Sequence, residues 1–308
     1  MMSTDSPRRD VRARVRDRLR VAAAQMKFAP TVGGNLAKIQ QLLGEAARGG
    51  ADAVLLPECA TTGYGYDFSR LTPAEVHAAL AAVGAMAARS GMNVLVGSPV
   101  FRRGKLYNGL VVFDRQGAVT HCYAKCHLTE MDRAHFAPGN AVALLEIDGV
   151  LATTVICHER RYPELVRLAV MAGAQILFHP NAGMDSLAVS RRKRGGRDGI
   201  VARAFENAIY YVFANSVGPQ GDRKWSAGDS KIVGPDERVL ALADNRNEGV
   251  IMADLELPKA TGIYAQRALS NPPFLAPHWK RMVDAVRRQA AKSSLAYDLP
   301  SVRNGRER

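Results

Sequence analysis

The stretch LATTVICHERRYPELVRLAVMAGAQILFHP, residues 151–180, places a helical pattern between two strand patterns. Its apolar run to Cys157 and its final run QILFHP have the length and composition of buried strands, and YPELVRLAVMAGA between them has the apolar spacing of a helix. Strands that alternate with helices are typical of α/β sheets with helices on their outer faces. The stretch therefore predicts an α/β fold in which Cys157 ends a strand.

The same alternation occurs in both halves of the chain, and hairpins follow it in each half. Thr72 before Pro73 indicates a helix N-terminus, since threonine can cap the first turn and proline suits the first helical position. Outside the opening stretch we predict strands at 19–26, 51–58, 92–100, 209–216 and 248–257, helices at 33–50, 72–91 and 198–208, hairpins turning at 114–117 and 148–149, and a strand–turn–strand at 228–243.

The organisation of the chain indicates a single domain. No linker separates the halves, and 308 residues with 47% hydrophobic content are enough to bury a large core. We predict a basic N-terminal tail at 1–18, one domain at 19–285 and a polar C-terminal arm or tail at 286–308.

The net charge of +13 lies partly near the start of the chain and in one internal segment. Residues 1–20 contain seven arginines and three aspartates, and RRKRGGR at 191–197 adds five basic residues. A basic arm could bind nucleic acid, but no aromatic residues that could stack on bases are interleaved with the arginines. We therefore expect a solvated tail and a basic loop, and nucleic-acid binding stays an alternative function.

The sequence does not point to a membrane or to secretion. No apolar run approaches the roughly 20 residues that a membrane helix needs, and residues 1–20 lack the apolar core of a secretory signal. Four cysteines in 308 residues make no disulfide framework. We expect a cytoplasmic protein with reduced thiols and no membrane partner.

Three reactive side chains each end an apolar run. Glu58 follows AVLLP, Lys125 ends VTHCYAK and Cys157 ends LATTVIC. Taken singly, each has an ordinary structural interpretation: Glu58 as a turn residue, Lys125 as a solvated lysine and Cys157 as a small core residue. Because ligand sites in α/β sheets form at the carboxyl ends of strands, their joint occurrence favours one site that contains all three.

The segment HCYAKCH, which begins at His121, holds two cysteines and two histidines and raises the alternative of a zinc site. Alternate side chains of a strand share a face, so we expect Cys122 and Cys126 on one face and Lys125 on the other. Positions four apart on a strand are separated by roughly 13 Å, too far for a shared zinc with ligands at about 2.3 Å. We therefore expect no metal site.

Four segments of the chain resemble those of the nitrilase superfamily, the carbon–nitrogen hydrolases. They are LLPE, YAKCHL with FAPG after it, VICHERRYPE, and RAFENAIYYVFANSVG with GDSKIVGPD. The resemblance runs from about Leu19 to about Leu255, and the order glutamate, lysine, cysteine agrees. It implies a four-layer α-β-β-α sandwich and a Glu-Lys-Cys catalytic triad without a cofactor.

The resemblance also implies roles for Glu58, Lys125 and Cys157. A thiol attacks as its thiolate, so Glu58 takes the proton, and Lys125 stabilises the thiolate and later the oxyanion. The backbone N–H of His158 is the expected second oxyanion donor. A thioester acyl-enzyme forms and is then hydrolysed.

Many family members carry a further glutamate four residues before the phenylalanine of FAPG. Asp132 occupies that position here, and Glu130 lies two residues earlier. We expect Asp132 to be the helper carboxylate, because Arg133 also fits the family pattern.

The residues after the nucleophile favour amide cleavage. Nitrile-cleaving members have Trp-Glu after the cysteine, whereas RRYPE here is similar to the RRWPE of N-carbamoyl-D-amino-acid hydrolases, whose paired arginines help to hold a substrate carboxylate. Arg160 and Arg161 are candidates for that role; alternatively, one of them forms an ion pair with Glu164 or Glu206. Tyr64, together with Tyr66, either lines the pocket or packs the loop.

We therefore predict a hydrolase of a small linear amide or N-carbamoyl compound that releases ammonia and an acid. Its partners would be that substrate and further copies of the chain, as a homodimer or a larger homo-oligomer, as the resemblance implies. A nitrilase, a catalytically idle scaffold and a nucleic-acid-binding protein are the alternatives.

Overall fold

The computed structural model describes residues 16–192, 201–220 and 224–293, together with Tyr297 and Leu299. Most of the predicted N-terminal tail, residues 193–197 of the basic segment and most of the predicted C-terminal arm lie outside the described residues. Strand β1 begins at Arg18 and the last helix continues past position 285. The predicted boundaries at 18 and 285 stay predictions.

The element order confirms the alternation of strands and helices. The strands are β1 (Arg18–Gln25), β2 (Ala53–Leu55), β3 (Asn93–Arg102), β4 (Lys105–Phe113), β5 (Val119–Ala124), β6 (Leu145–Ile147), β7 (Val150–Thr154), β8 (Ile176–Asn181), β9 (Met184–Asp185), β10 (Tyr210–Asn215), β11 (Val217–Gln220), β12 (Lys224–Ala227), β13 (Lys231–Val233), β14 (Val239–Leu242) and β15 (Gly249–Glu256). The helices are α1 (Val32–Arg48), α2 (Pro73–Ser90), α3 (Glu130–Arg133), α4 (Pro163–Met171), α5 (Leu187–Arg192), α6 (Val201–Phe205), α7 (Ile263–Ala268) and α8 (Ala276–Ser293).

Two six-stranded sheets form the centre of the molecule. The first has the order β15-β1-β2-β3-β4-β5 and the second β14-β13-β10-β8-β7-β6. Strands β1, β2 and β3 are parallel in the first sheet, as are β7, β8 and β10 in the second, and antiparallel strands complete both. A small third sheet joins β11, β12 and β9.

The sheets stack face to face, with helices on both outer sides. Leu55 and Leu95 belong to the core between the sheets, whereas Val54 and Val94 point to the opposite face, where α1 and α2 pack. Helices α4, α7 and α8 cover the outer face of the second sheet. This arrangement confirms the four-layer α-β-β-α sandwich.

Local sequence signals placed several of these elements correctly. Thr72 caps α2 in a capping box with Glu75, and Gly91 ends the helix at a left-handed φ of 59°. Both predicted hairpins form, as β4–β5 and β6–β7.

The expectation that Cys122 and Cys126 share a strand face is wrong. Strand β5 ends at Ala124, so the alternation of faces stops before Cys126. Cys122 lies in the core beneath α1 and α2, and Cys126 packs against the core between the sheets.

Across the described ranges, no helix is both long enough and apolar enough to cross a bilayer.

Candidate active site

The ends of three strands bring Glu58, Lys125 and Cys157 to one place. Glu58 lies three residues after β2, Lys125 directly after β5 and Cys157 three residues after β7. Lys125 Nζ lies 2.8 Å from Glu58 Oε1, and both side chains are buried. The candidate site thus spans the two sheets at the carboxyl ends of β2 and β7.

Two glycines let the segments around Glu58 and Lys125 pack closely against neighbouring backbone. A Cβ at Gly97 would lie 2.2 Å from the carbonyl oxygen just before Glu58, and one at Gly139 would lie 2.1 Å from the Ala124 carbonyl oxygen. The Gly139 N–H also donates to the Lys125 carbonyl oxygen at 2.8 Å. The glycine of FAPG therefore helps to position the lysine.

Lys125 is shared between two carboxylates. Its Nζ also lies 2.8 Å from Asp132 Oδ2, and all three side chains are buried. Burial would lower the pKa of Lys125, but Glu58, Cys157 and Asp132 together raise it well above its ordinary value. The neighbouring negative charges therefore favour the ammonium form of Lys125.

Hydrogen bonds fix the Glu58 carboxylate from both sides. Asn108 Nδ2 donates to Oε1 at 2.8 Å, and the Ala182 N–H donates to Oε2 at 3.1 Å. Asn108 Nδ2 also approaches Asp132 Oδ1 at 3.4 Å. Strands from both sheets therefore hold Glu58.

Asp132, rather than Glu130, lies against Lys125. The N–H and the hydroxyl of Thr129 donate to Asp132 Oδ2 at 2.9 and 2.8 Å, in the capping box that begins α3. Burial opposes ionisation, but Lys125 holds the pKa of Asp132 below its ordinary value. Glu130 is exposed at the rim of the adjacent cavity.

Cys157 begins a short turn of 3-10 helix, Cys157–Arg161, with a φ of +51°. This left-handed conformation is uncommon for residues other than glycine. Burial, followed by the charge of Glu58, raises the pKa of the thiol to about 12, against the opposing charge of Lys125. The protonated form of the thiol is therefore favoured beside Glu58.

Glu159 fastens this turn to the segment after β5. Its buried carboxylate accepts hydrogen bonds from the backbone N–H groups of Ile156 (2.8 Å), Cys126 (2.7 Å) and His127 (3.1 Å). The Tyr123 hydroxyl donates to the same carboxylate at 2.9 Å. One side chain thus fixes the backbone just after Lys125 and just before Cys157.

His179 contacts the backbone of Cys157. Its Nε2 lies 3.0 Å from the Cys157 carbonyl oxygen, and its Nδ1 is hydrogen-bonded to the Tyr211 hydroxyl. Burial lowers the pKa of His179 to about 3, and the charge of Arg160 acts in the same direction. The ring is therefore neutral, and its Nε2–H can donate to the carbonyl oxygen.

A cavity of about 380 Å³ opens in front of Cys157. Tyr64, His158, Arg160 and Arg161, the candidates for substrate contact, all line it. The cavity walls also include Met131, Asn181, Ala182, Gly183, Phe213, Asn215 and Asp229.

The two arginines keep their charge available to the cavity. Within the described ranges neither guanidinium forms an ion pair with a carboxylate. Glu206, one of the predicted alternative partners, pairs instead with Arg203 at 2.6 Å. His158 lies beside them, and burial, followed by the charge of Lys125, lowers its pKa.

The two tyrosines of TTGYGYD have different surroundings. The Tyr64 hydroxyl donates to Asp132 Oδ1 at 2.6 Å while its ring lines the cavity. Tyr66 lies outside that cavity and packs on Phe68, with ring centroids 6.1 Å apart. Both predicted alternatives therefore occur, one for each residue.

Sequence reasoning missed several polar residues of the site, among them Asn108, His179, Asn181 and Asn215. Asn108 and His179 interrupt apolar stretches of buried strands, and Asn181 and Asn215 end such strands. Because a buried polar side chain needs a partner, such an interruption is a signal that could have identified them.

Known proteins resemble the chain in both sequence and structure. The sequence model of the Carbon-nitrogen hydrolase family matches residues 20–264. An omega-amidase of Xenopus tropicalis is 31% identical over 257 residues, which cover 78% of this chain and 89% of that protein. A 2-oxoglutaramate amidase of Bacillus subtilis is 29% identical over 217 residues, with 69% and 81% covered.

Solved structures agree with the sequence comparison. A double mutant of the amidase from Nesterenkonia sp. AN1, in complex with acrylamide, matches with a TM-score of 0.74 and 25% identity. The match covers 85% of this chain and 97% of that one. The chain belongs to the carbon–nitrogen hydrolase family, within the nitrilase superfamily, and is an enzyme that hydrolyses carbon–nitrogen bonds.

Proposed function

We propose that the protein hydrolyses a small linear amide or N-carbamoyl compound through a thioester on Cys157. The observation that carries the proposal is the buried ion pair of Glu58 and Lys125 beside a protonated Cys157 thiol. A carboxylate next to a thiol can take its proton, and an ammonium next to both can stabilise negative charge on sulfur or oxygen.

In the acylation step the Cys157 sulfur attacks the amide carbon, and its proton passes to Glu58. Lys125 and the N–H of His158 stabilise the oxyanion. The carbon–nitrogen bond then breaks, the leaving nitrogen takes the proton from Glu58, and ammonia departs. The raised pKa of the thiol supports a base-assisted attack, because few free thiolates exist before substrate binds.

In the deacylation step Glu58 removes a proton from water, and the oxygen attacks the thioester carbon. The carbon–sulfur bond breaks, the carboxylic acid leaves, and the proton returns to sulfur. Asp132 has a supporting role, because it keeps Lys125 charged whether Glu58 is ionised or protonated.

The cavity suggests that the substrate has a carboxylate at the end opposite the amide. Arg160 and Arg161 line the same cavity as Cys157 and have no carboxylate partner in the part of the chain that the structure describes. A guanidinium binds carboxylates bidentately. The names of the omega-amidase and the 2-oxoglutaramate amidase are compatible with such a substrate.

The test is ammonia release from neutral amides, amides that bear a carboxylate, N-carbamoyl amino acids and nitriles. Arg160→Gln should raise KM for carboxylate-bearing amides roughly 10–100-fold and leave neutral amides nearly unchanged. Arg133→Gln, an exposed arginine of α3 outside the cavity, is the matched control. Ammonia release from nitriles alone would refute the amidase assignment.

We further infer a cytoplasmic homo-oligomer. The four cysteines are free thiols, which suits a reducing compartment. Exposed Phe205, Ile263 and Tyr264 line a groove of about 410 Å³, together with charged side chains such as Asp236 and Lys259. Exposed large apolar side chains grouped around one groove support contact with another copy of the chain.

A further inference from the structure

Asn181, the last residue of β8, has a buried acceptor without a partner. Its side chain is 4% exposed, and across the described residues Oδ1 has no hydrogen-bond donor. The residue lines the same cavity as Cys157. Because nearly all buried polar atoms of folded proteins are hydrogen-bonded, an unpaired one in an active-site wall points to a ligand.

The neighbouring backbone fixes which way the Asn181 amide faces. Asn215 Nδ2 donates to the Gly228 carbonyl oxygen at 2.7 Å, so Asn215 Oδ1 must face the opposite side. There it accepts from the Gly183 N–H at 3.3 Å and from Asn181 Nδ2 at 2.8 Å. Reversing the Asn181 amide would set two oxygens against each other, so Oδ1 is the unpaired atom.

Asn181 lies in the chain between two residues that contact Cys157 and Glu58. His179, on the same face of β8 two residues earlier, contacts the Cys157 carbonyl oxygen. The next residue, Ala182, donates its N–H to Glu58. Asn181 therefore lies on the strand between the support of the nucleophile and the support of the base.

We propose that Asn181 Oδ1 accepts a hydrogen bond from the N–H of the scissile amide and so selects amides over esters and nitriles. The inference rests on the proposed function. Lys125 and the His158 N–H supply donors for the carbonyl oxygen, and an amide nitrogen needs an acceptor in addition. An ester oxygen carries no hydrogen and would leave Oδ1 unpaired, and a site built in this way rejects analogues that lack the donor.

Gly183 offers a second way to disturb the same acceptor. A Cβ at this position would lie 2.8 Å from Asn181 Nδ2. Gly183→Ala should displace the Asn181 amide without changing any charged group of the cavity. Gly33→Ala is the matched control, because a Cβ there meets nothing within 4 Å.

The test compares kcat/KM for a primary amide and for the methyl ester of the same acid. Both substrates use Cys157 and give the same acyl-enzyme, so a general loss of structure lowers both rates alike. We expect Asn181→Leu and Gly183→Ala to lower the amide value at least tenfold and to change the ester value less than threefold.

An equal loss for both substrates, or an unchanged amide value, would overturn the inference. If Asn181→Leu does not fold, Gly183→Ala supplies the same comparison of amide and ester kcat/KM. If the wild-type enzyme cleaves amides and the variants keep its ratio of amide to ester kcat/KM, only the role of Asn181 is refuted. Wild-type enzyme without amide activity would refute the proposed function as well.

Discussion

At the scale of single residues, the site is arranged around one ammonium between two carboxylates. Glu58 and Asp132 each lie 2.8 Å from Lys125 Nζ in a buried setting. Removing one member of a buried ion group leaves the others with uncompensated charge. The side chains that orient these charges are therefore expected to affect catalysis even without touching the substrate.

Tyr64→Phe tests such an indirect effect, because it removes the hydroxyl that donates to Asp132 at 2.6 Å. A hydrogen bond to a charged group contributes about 1.5–3 kcal/mol. We expect kcat to fall roughly tenfold or more, because about 1.4 kcal/mol of lost transition-state stabilisation corresponds to a factor of ten in rate. Tyr66→Phe is the matched control and should leave kcat unchanged. A Tyr64→Phe enzyme with normal kcat and raised KM would show that Tyr64 contacts the substrate instead.

The sequence allowed Glu58, Lys125 and Cys157 to be identified, because strand ends and motif order are local features. It did not reveal the partners of His179 or Asn108. Those partners are distant in sequence: Tyr211 lies in β10, and Glu58 follows β2. The spatial order of strands in a sheet has to be known before such pairs can be predicted.

At the scale of elements, Glu159 couples the turn after β7 to the segment after β5. Four donors converge on its carboxylate, three of them backbone N–H groups. The alternation of strand faces could not predict this connection, because β5 ends at Ala124 and the contacts lie beyond it.

Glu159→Gln should reduce kcat for amides by about 10–100-fold, which corresponds to the cost of one unsatisfied buried polar group. The reason is that the amide NH₂ of the glutamine would face a backbone N–H donor and shift the turn. Steady-state kinetics on the folded variant measure the effect. Glu146→Gln, on the exposed side of β6, is the control. Unchanged kcat in Glu159→Gln would mean that the turn keeps its position without the carboxylate.

At the scale of the whole molecule, a charged cluster joins the two sheets at the end opposite the active site. Arg115, in the β4–β5 turn, contacts Asp52 before β2 at 2.6 Å and Asp148 in the β6–β7 turn. Burial opposes ionisation of both aspartates. Hydrogen bonds nevertheless hold both pKa values below normal. Asp52 accepts them from Arg20 and Arg115, and Asp148 accepts them from Arg115 and Asn93.

Arg115→Gln should lower the free energy of unfolding by about 1–3 kcal/mol at pH 7. Because the aspartate pKa values are depressed in the folded state, their contribution is present above about pH 4 and is lost as the pH falls through the folded values. Denaturant titrations at several pH values should show the difference from wild type shrinking in acid. A difference that grows in acid would contradict this interpretation. Arg89→Gln, at an exposed position of α2, is the control and should leave the free energy of unfolding unchanged.

The proposed oligomer is a second test at this scale. Sedimentation at neutral pH should give at least twice the mass of one chain, and Ile263→Glu should lower it, because a charge would replace an exposed apolar side chain of the groove. Arg267→Gln, on the same helix but outside the groove, changes the net charge by the same one unit and is the control. A monomer in wild type would refute the inference.

Ammonia release by Cys157→Ala shows whether Cys157 is the nucleophile. Because an alanine side chain cannot form the thioester, we predict that kcat for an amide falls by at least about 10³-fold while the fold is retained. Cys126→Ala, a nearby thiol outside the triad, should keep most of the activity. Amide hydrolysis within tenfold of wild type in Cys157→Ala would contradict the account.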